Sequence, residues 1–267
     1  MTVDLHSVRS ALFLPASNPR AIAKARTAGA DLVILDLEDA VKHEDKEAAR
    51  AAAVSAVAEA WPCAIAIRVN GVGTQWHEAD IGAVAGSKAD LVIVPRAASA
   101  SDVAAVTSAV KRPVAAMIET AAGVLAAASI ANAAAALIAG TNDLAADLRL
   151  EPGAGRGPLQ TALQMILLSA RAAGCAAIDG VFNRLDDPAS LAAECAESRA
   201  LGFDGKSLIH PDQIAPCHAA FAPSPEEISR AERLLAAASG GAERFEGAMV
   251  ESMHVEAARR LLERSRL

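Results

Sequence analysis

Eight short apolar runs recur from one end of this chain to the other, with helical patterns between them. They cover residues 11–14, 31–36, 63–70, 90–94, 113–119, 137–139, 176–178 and 203–209. None alternates apolar with polar, so each reads as a strand covered on both faces, as in a parallel sheet. The intervening segments carry helix punctuation. Asn18 and Pro19 open one helix that Gly29 ends, and Gly174 and Gly202 stop two others. Further helices are expected at 44–60 and 101–111. Eight parallel strands are the number that closes a barrel. The length of 267 residues suits one (β/α)8 barrel, which takes about 250. An open doubly wound sheet is the rival, but the GxGxxG turn it would want after the first strand is absent.

The barrel is expected over residues 1–222, with a helical extension over 223–267. Ser224-Pro225-Glu226-Glu227 is a strong helix start, Ser239-Gly240-Gly241 breaks that helix, and a last amphipathic helix is expected at 256–264. A closed barrel has no need of these helices. They are therefore expected to pack on a neighbouring subunit of a homo-oligomer.

Composition narrows the function. Aromatics make up 3% and Tyr is absent, against base-stacking readers of nucleic acid. The net charge of −7 and the lack of a basic run argue against nucleic acid and anionic membranes. No apolar run approaches the roughly 18 residues of a membrane span, and no signal segment is evident, so a cytoplasmic location is expected. Cys63, Cys175, Cys195 and Cys217 lack CxxC or zinc-type spacing and read as buried thiols.

Polar residues gather where strands end. These are Asp36, Glu38 and Asp39, then Arg68 and Asn70, Arg96, Glu119, Asp143, Asp179, and finally Lys206, Ser207 and His210. In a closed barrel such positions are expected to converge on the mouth at the C-terminal ends of the strands. Taken singly, each has a plainer reading; Asp36, for instance, could cap a loop. Glu119 and Asp143 follow adjacent strands and make a pair of hard oxygen ligands for Mg2+; Mn2+ takes similar ligands. Such an ion keeps positions open for a chelating 2-oxo acid, whose carboxylate the planar fork of Arg68 would match. That chemistry suits making or breaking a carbon–carbon bond beside a carbonyl. Gly205 to Ser207 lack the upstream glycine of a phosphate loop.

Several stretches together resemble the citrate lyase β-subunit-like proteins of the HpcH/HpaI aldolase group. They are Phe13-Leu-Pro-Ala-Ser-Asn18, Gly29-Ala-Asp-Leu-Val-Ile-Leu-Asp-Leu-Glu-Asp-Ala-Val41, Ile67-Arg-Val-Asn70, Met117-Ile-Glu-Thr-Ala-Ala-Gly123, Asn142-Asp-Leu-Ala-Ala-Asp-Leu148, Ala177-Ile-Asp-Gly-Val181, and Gly202-Phe-Asp-Gly-Lys206 with Ile209-His-Pro211. The resemblance implies a Mg2+-dependent TIM barrel that cleaves or forms citryl-, malyl- or citramalyl-type CoA thioesters. It implies substrate binding by Arg68 and Glu119, with Asn70 of the same motif as Arg68 beside them, and metal binding by Glu119 and Asp143. Asp39 stands where the aldolase branch has a His that helps proton transfer; orienting a water on the metal is an equal alternative for it. Glu246-Gly-Ala-Met-Val-Glu251 matches a C-terminal DGxMID motif with both aspartates replaced by glutamates, making Glu251 a candidate proton carrier. The oligomer expected from the resemblance is a trimer or hexamer.

Arg96 replaces a common Lys, and Thr161-Ala-Leu-Gln164 replaces a Tyr-Ala-Arg-Ser run. These departures keep a CoA-independent oxo-acid aldolase as one alternative. The altered C-terminal motif keeps a non-catalytic subunit as another.

Overall fold

A computed structural model describes residues 3–238 and 241–265. The chain divides into two compact units, one ending at Ala220 and the other beginning at Phe221.

The first unit is a closed eight-stranded barrel, all neighbours parallel, with the first strand paired to both the second and the last. Its strands are β1 (Ser10–Pro15), β2 (Leu32–Asp36), β3 (Ala64–Arg68), β4 (Leu91–Val94), β5 (Val114–Ile118), β6 (Ala136–Ala139), β7 (Ala176–Asp179) and β8 (Gly205–Leu208). Between and after them run α1 (Pro19–Ala25), α2 (Lys46–Ala58), α3 (His77–Ala85), α4 (Ala100–Val110), α5 (Ala121–Ala131), α6 (Thr141–Asp147), α7 (Gln160–Ala173), α8 (Pro188–Leu201) and α9 (Ile214–Phe221). No helix among the described residues is long and apolar enough to cross a membrane.

Strand parity decides which side chains reach the barrel axis. The interior holds Leu32 and Ile34 of β2, Ala66 of β3, Leu91 and Ile93 of β4, and Ala115 and Met117 of β5. Ala136 and Ile138 of β6 and Ala176 and Ile178 of β7 complete it. Continuing the two-residue period carries Asp36, Arg68, Glu119 and Gly140 into the uppermost inward layer. Asp36 and Arg68 are cross-strand neighbours in register.

The same parity turns Asp179 and Lys206 away from the axis. Both are fully buried; Lys206 Nζ donates to Asp179 Oδ2 at 2.9 Å and to Glu194 Oε1 of α8 at 2.7 Å. Arg156 Nη2 stands 2.9 Å from Asp179 Oδ2. The expected convergence of every strand-end charge on one mouth therefore fails here, because these two strands end on outward-facing positions.

The second unit contains α10 (Pro225–Ala237), a hairpin of β9 (Glu243–Phe245) and β10 (Ala248–Val250), and α11 (Ser252–Arg264). Ser224 caps α10 in a capping box with Glu227. The hairpin is an addition to the all-helical extension read from the sequence. Its turn places Glu246 at φ 48° and Gly247 at φ 86°. Of the Ser239-Gly240-Gly241 break, Ser239 and Gly240 lie outside the described residues.

Candidate active site

A cavity of about 390 Å³ opens at the C-terminal ends of the strands. Asp36, Asp39, Arg68, Met117, Glu119, Gly140 and Asp143 are among the residues that line it. Four sequence-predicted site residues, Asp39, Arg68, Glu119 and Asp143, thus share one space.

Glu119 is buried, with 1% of its surface exposed. Its Oε1 accepts the backbone N–H of Arg96 at 2.6 Å. Its Oε2 is buried and has no hydrogen-bond partner among the described residues. Burial pushes its carboxyl up to about 7, against the pull of the Arg96 N–H and the Arg68 charge, while Asp143 raises it further. Gly140 makes room for this side chain: a Cβ there would overlap the Cβ and Oε2 of Glu119. Asp143 sits in the first turn of α6, where its charge faces the positive end of the helix. Among the described residues no group of three or more His, Cys, Asp or Glu side chains could hold a metal. A divalent ion here would rest on two carboxylates and take its other ligands from water and substrate, as Mg2+ does. The unpartnered buried Oε2 fits that use.

Arg68 is held by three groups. Its Nε and Nη2 donate to the two oxygens of Asp36 at 2.6 and 2.7 Å. Nη1 stands 2.9 Å from Glu38 Oε2 and also reaches Met117 Sδ at 3.6 Å. Burial works against the guanidinium charge, but Asp36, Glu38 and Glu119 outweigh it and hold the group charged. The fork expected to grip a substrate carboxylate is filled by Asp36. Nη1, beside Glu38 and Met117, is the guanidinium nitrogen that Asp36 does not engage.

Asn70, expected to bind substrate, is not among the residues that line this cavity. Its amide donates to Asp80 Oδ2 at 2.6 Å and accepts from Lys46 Nζ at 2.7 Å. That lysine also bonds the carbonyls of Leu37 and Glu38, so Asn70 helps fix the segment after β2. Glu251 lies in the second unit at the start of α11, where its N–H donates to His254 Nδ1 at 3.0 Å. Glu246 pairs with Arg230 and Arg233 of α10, at 3.1 and 2.7 Å.

A sequence model described as HpcH/HpaI aldolase/citrate lyase matches residues 9–211. The chain belongs to that family. It is 41% identical over 273 residues to a (3S)-malyl-CoA thioesterase of Cereibacter sphaeroides, covering 98% of this chain and 96% of that one. It is 39% identical to a citrate lyase subunit beta-like protein of Mycobacterium tuberculosis, over 95% of this chain and 94% of the relative. Among solved structures, CitE from Mycobacterium tuberculosis in complex with magnesium, acetoacetate and coenzyme A superposes with a TM-score of 0.88 at 37% identity. That match covers 98% of this chain and all of the other.

In this family member a second cavity, of about 600 Å³, adjoins the first and shares Phe13, Leu14, Pro15 and Ile209 with it. Arg20 and Lys24 of α1 line it. Their i,i+4 spacing puts both on one helix face, and both are exposed. This was a signal available in the sequence, hidden because neither residue closes a strand.

Proposed function

We propose that the protein is a Mg2+-dependent carbon–carbon lyase acting on a 3-hydroxyacyl-CoA of the malyl, citramalyl or citryl type. It would yield a 2-oxo acid and a shorter acyl-CoA, or catalyse the reverse. The observation that carries this reading is the buried, unpartnered Oε2 of Glu119 in a cavity shared with Asp143 and Arg68. Magnesium in the CitE structure supports it.

Glu119 and Asp143 would hold the ion. When bound, Mg2+ supplies Lewis acidity that polarises the oxo group and offsets charge on the oxygen derived from it. Arg68, fixed by Asp36, directs Nη1 at the oxo-acid carboxylate. In the cleavage direction the substrate hydroxyl loses its proton, the bond between the carbinol carbon and the carbon α to the thioester breaks, and that α-carbon takes up a proton. Asp39 and Glu251 are the proposed proton carriers. Arg20 and Lys24 meet the phosphates of CoA in the adjoining cavity, and coenzyme A in the CitE structure supports this. The malyl-CoA thioesterase relative, and coenzyme A in the CitE structure, favour a CoA-thioester substrate over a CoA-independent aldolase. A cytoplasmic homo-oligomer, trimer or hexamer, completes the proposal. The free state of all four cysteines fits a reducing compartment.

The malyl-CoA thioesterase relative supports a second reading, in which water attacks the thioester carbonyl and CoA leaves. Products separate the two. With malyl-CoA, the lyase gives glyoxylate and acetyl-CoA, whereas hydrolysis gives malate and CoA. Glu119→Ala is expected to abolish Mg2+-dependent turnover of either kind; full activity in that variant would end the proposal.

A further inference from the structure

Arg96 touches both acids of the proposed ion site. It follows β4 at φ 48°, a left-handed conformation uncommon outside glycine. From there its backbone N–H takes Glu119 Oε1 at 2.6 Å, and its Nη1 lies 3.6 Å from Asp143 Oδ1. The two contacts are separable. Any residue but proline keeps the first, and only the side chain makes the second.

The Arg96–Asp143 pair is loose and wet, with side chains 53% and 39% exposed. No other cationic group pairs with Asp143, and no other acid with Arg96, among the described residues. A guanidinium at that carboxylate competes with a divalent ion in two ways. It engages lone pairs the ion would use, and its charge repels the ion.

We propose that Arg96 sets the divalent-ion affinity of the Glu119–Asp143 pair, holding Asp143 when no ion is present and yielding when one arrives. The inference rests on the ion site proposed above. Arg96 is a positioning residue in this account. Its main chain commits Oε1 of Glu119 and leaves Oε2 for the ion, while its side chain makes ion entry a replacement of one cation by another. An exposed ion pair is weak, so the competition amounts to about fivefold in affinity. It is also screened by salt.

The test is a titration of the ion-free protein with Mn2+, following free Mn2+ by electron paramagnetic resonance. Arg96→Gly suits the left-handed backbone and keeps the N–H; Arg96→Asn tolerates it and adds no charge. Both are expected to bind Mn2+ about fivefold more tightly than the parent at low ionic strength. The gap should narrow at high potassium chloride. Arg96→Lys, which keeps the charge, should fall nearer the parent. Equal or weaker Mn2+ binding in both neutral variants, beside a parent that binds, overturns the role of Arg96 and leaves the ion site standing. A parent that fails to bind Mn2+ overturns the ion site and this inference with it.

Discussion

Two carboxyls near the mouth carry raised proton affinities for the same reason. Burial pushes Glu38 up to about 8 and Glu119 up to about 7. If Glu119 holds the proposed ion, that ion and a proton compete for one carboxylate. Below about pH 7 the metal-free protein holds Glu119 neutral, and an incoming ion must displace that proton. Divalent-ion affinity is therefore expected to rise by roughly tenfold per pH unit below 7 and to level off above it. Calorimetric titrations in buffers of differing ionisation enthalpy will show proton release on binding near pH 6.5, if this holds. Affinity that is flat with pH would remove Glu119 from the ligand set. The sign for stability runs the other way. A carboxyl raised in the folded state favours folding at low pH, and that contribution is lost as pH rises through about 7.

At the scale of elements, the site is a consequence of strand parity and of a few residues that make space. Gly140 ends β6 against the Glu119 side chain. Gly140→Ala is expected to lower stability by about 1–3 kcal/mol through overpacking and to weaken ion binding by shifting Glu119. Urea unfolding together with Mn2+ titration checks both effects. A variant with unchanged stability and affinity would show that the wall is softer than its contacts imply.

The alternation of strands and helices, and the acids after β5 and β6, were legible because apolar runs and Gly or Pro stops are local signals. Which way a strand-end side chain points was not. Asp179 and Lys206 look as functional as Glu119 in the sequence, and only the register turns them outward into a buried ion cluster with α8. The hold of Asp36 on Arg68 was hidden for the same reason, since it depends on cross-strand alignment. The hold of Asp80 on Asn70 was hidden too, because Asp80 lies on α3, a helix with little apolar periodicity.

At the scale of the whole molecule, the barrel carries Arg68, Glu119 and Asp143, the residues proposed to hold the ion and the oxo acid, and a separate C-terminal unit carries Glu251. If Glu251 moves a proton and holds no metal, Glu251→Gln should lose turnover while keeping Mn2+ affinity. Steady-state rates read beside Mn2+ titrations separate those effects; joint loss of both would assign Glu251 to the ion or to folding. The unit's other motif acid, Glu246, is already engaged by Arg230 and Arg233, and so serves the hairpin.

Binding of the ion and oxo acid together at the mouth is the claim on which the proposed activity stands. A crystal structure of the protein grown with Mg2+ and glyoxylate tests it most directly. One ion is expected on Glu119 Oε2 and an Asp143 oxygen, chelated by the oxo acid, with Arg68 Nη1 against the acid's carboxylate. An ion bound elsewhere, or glyoxylate seated without contact to Glu119, Asp143 or Arg68, would contradict it.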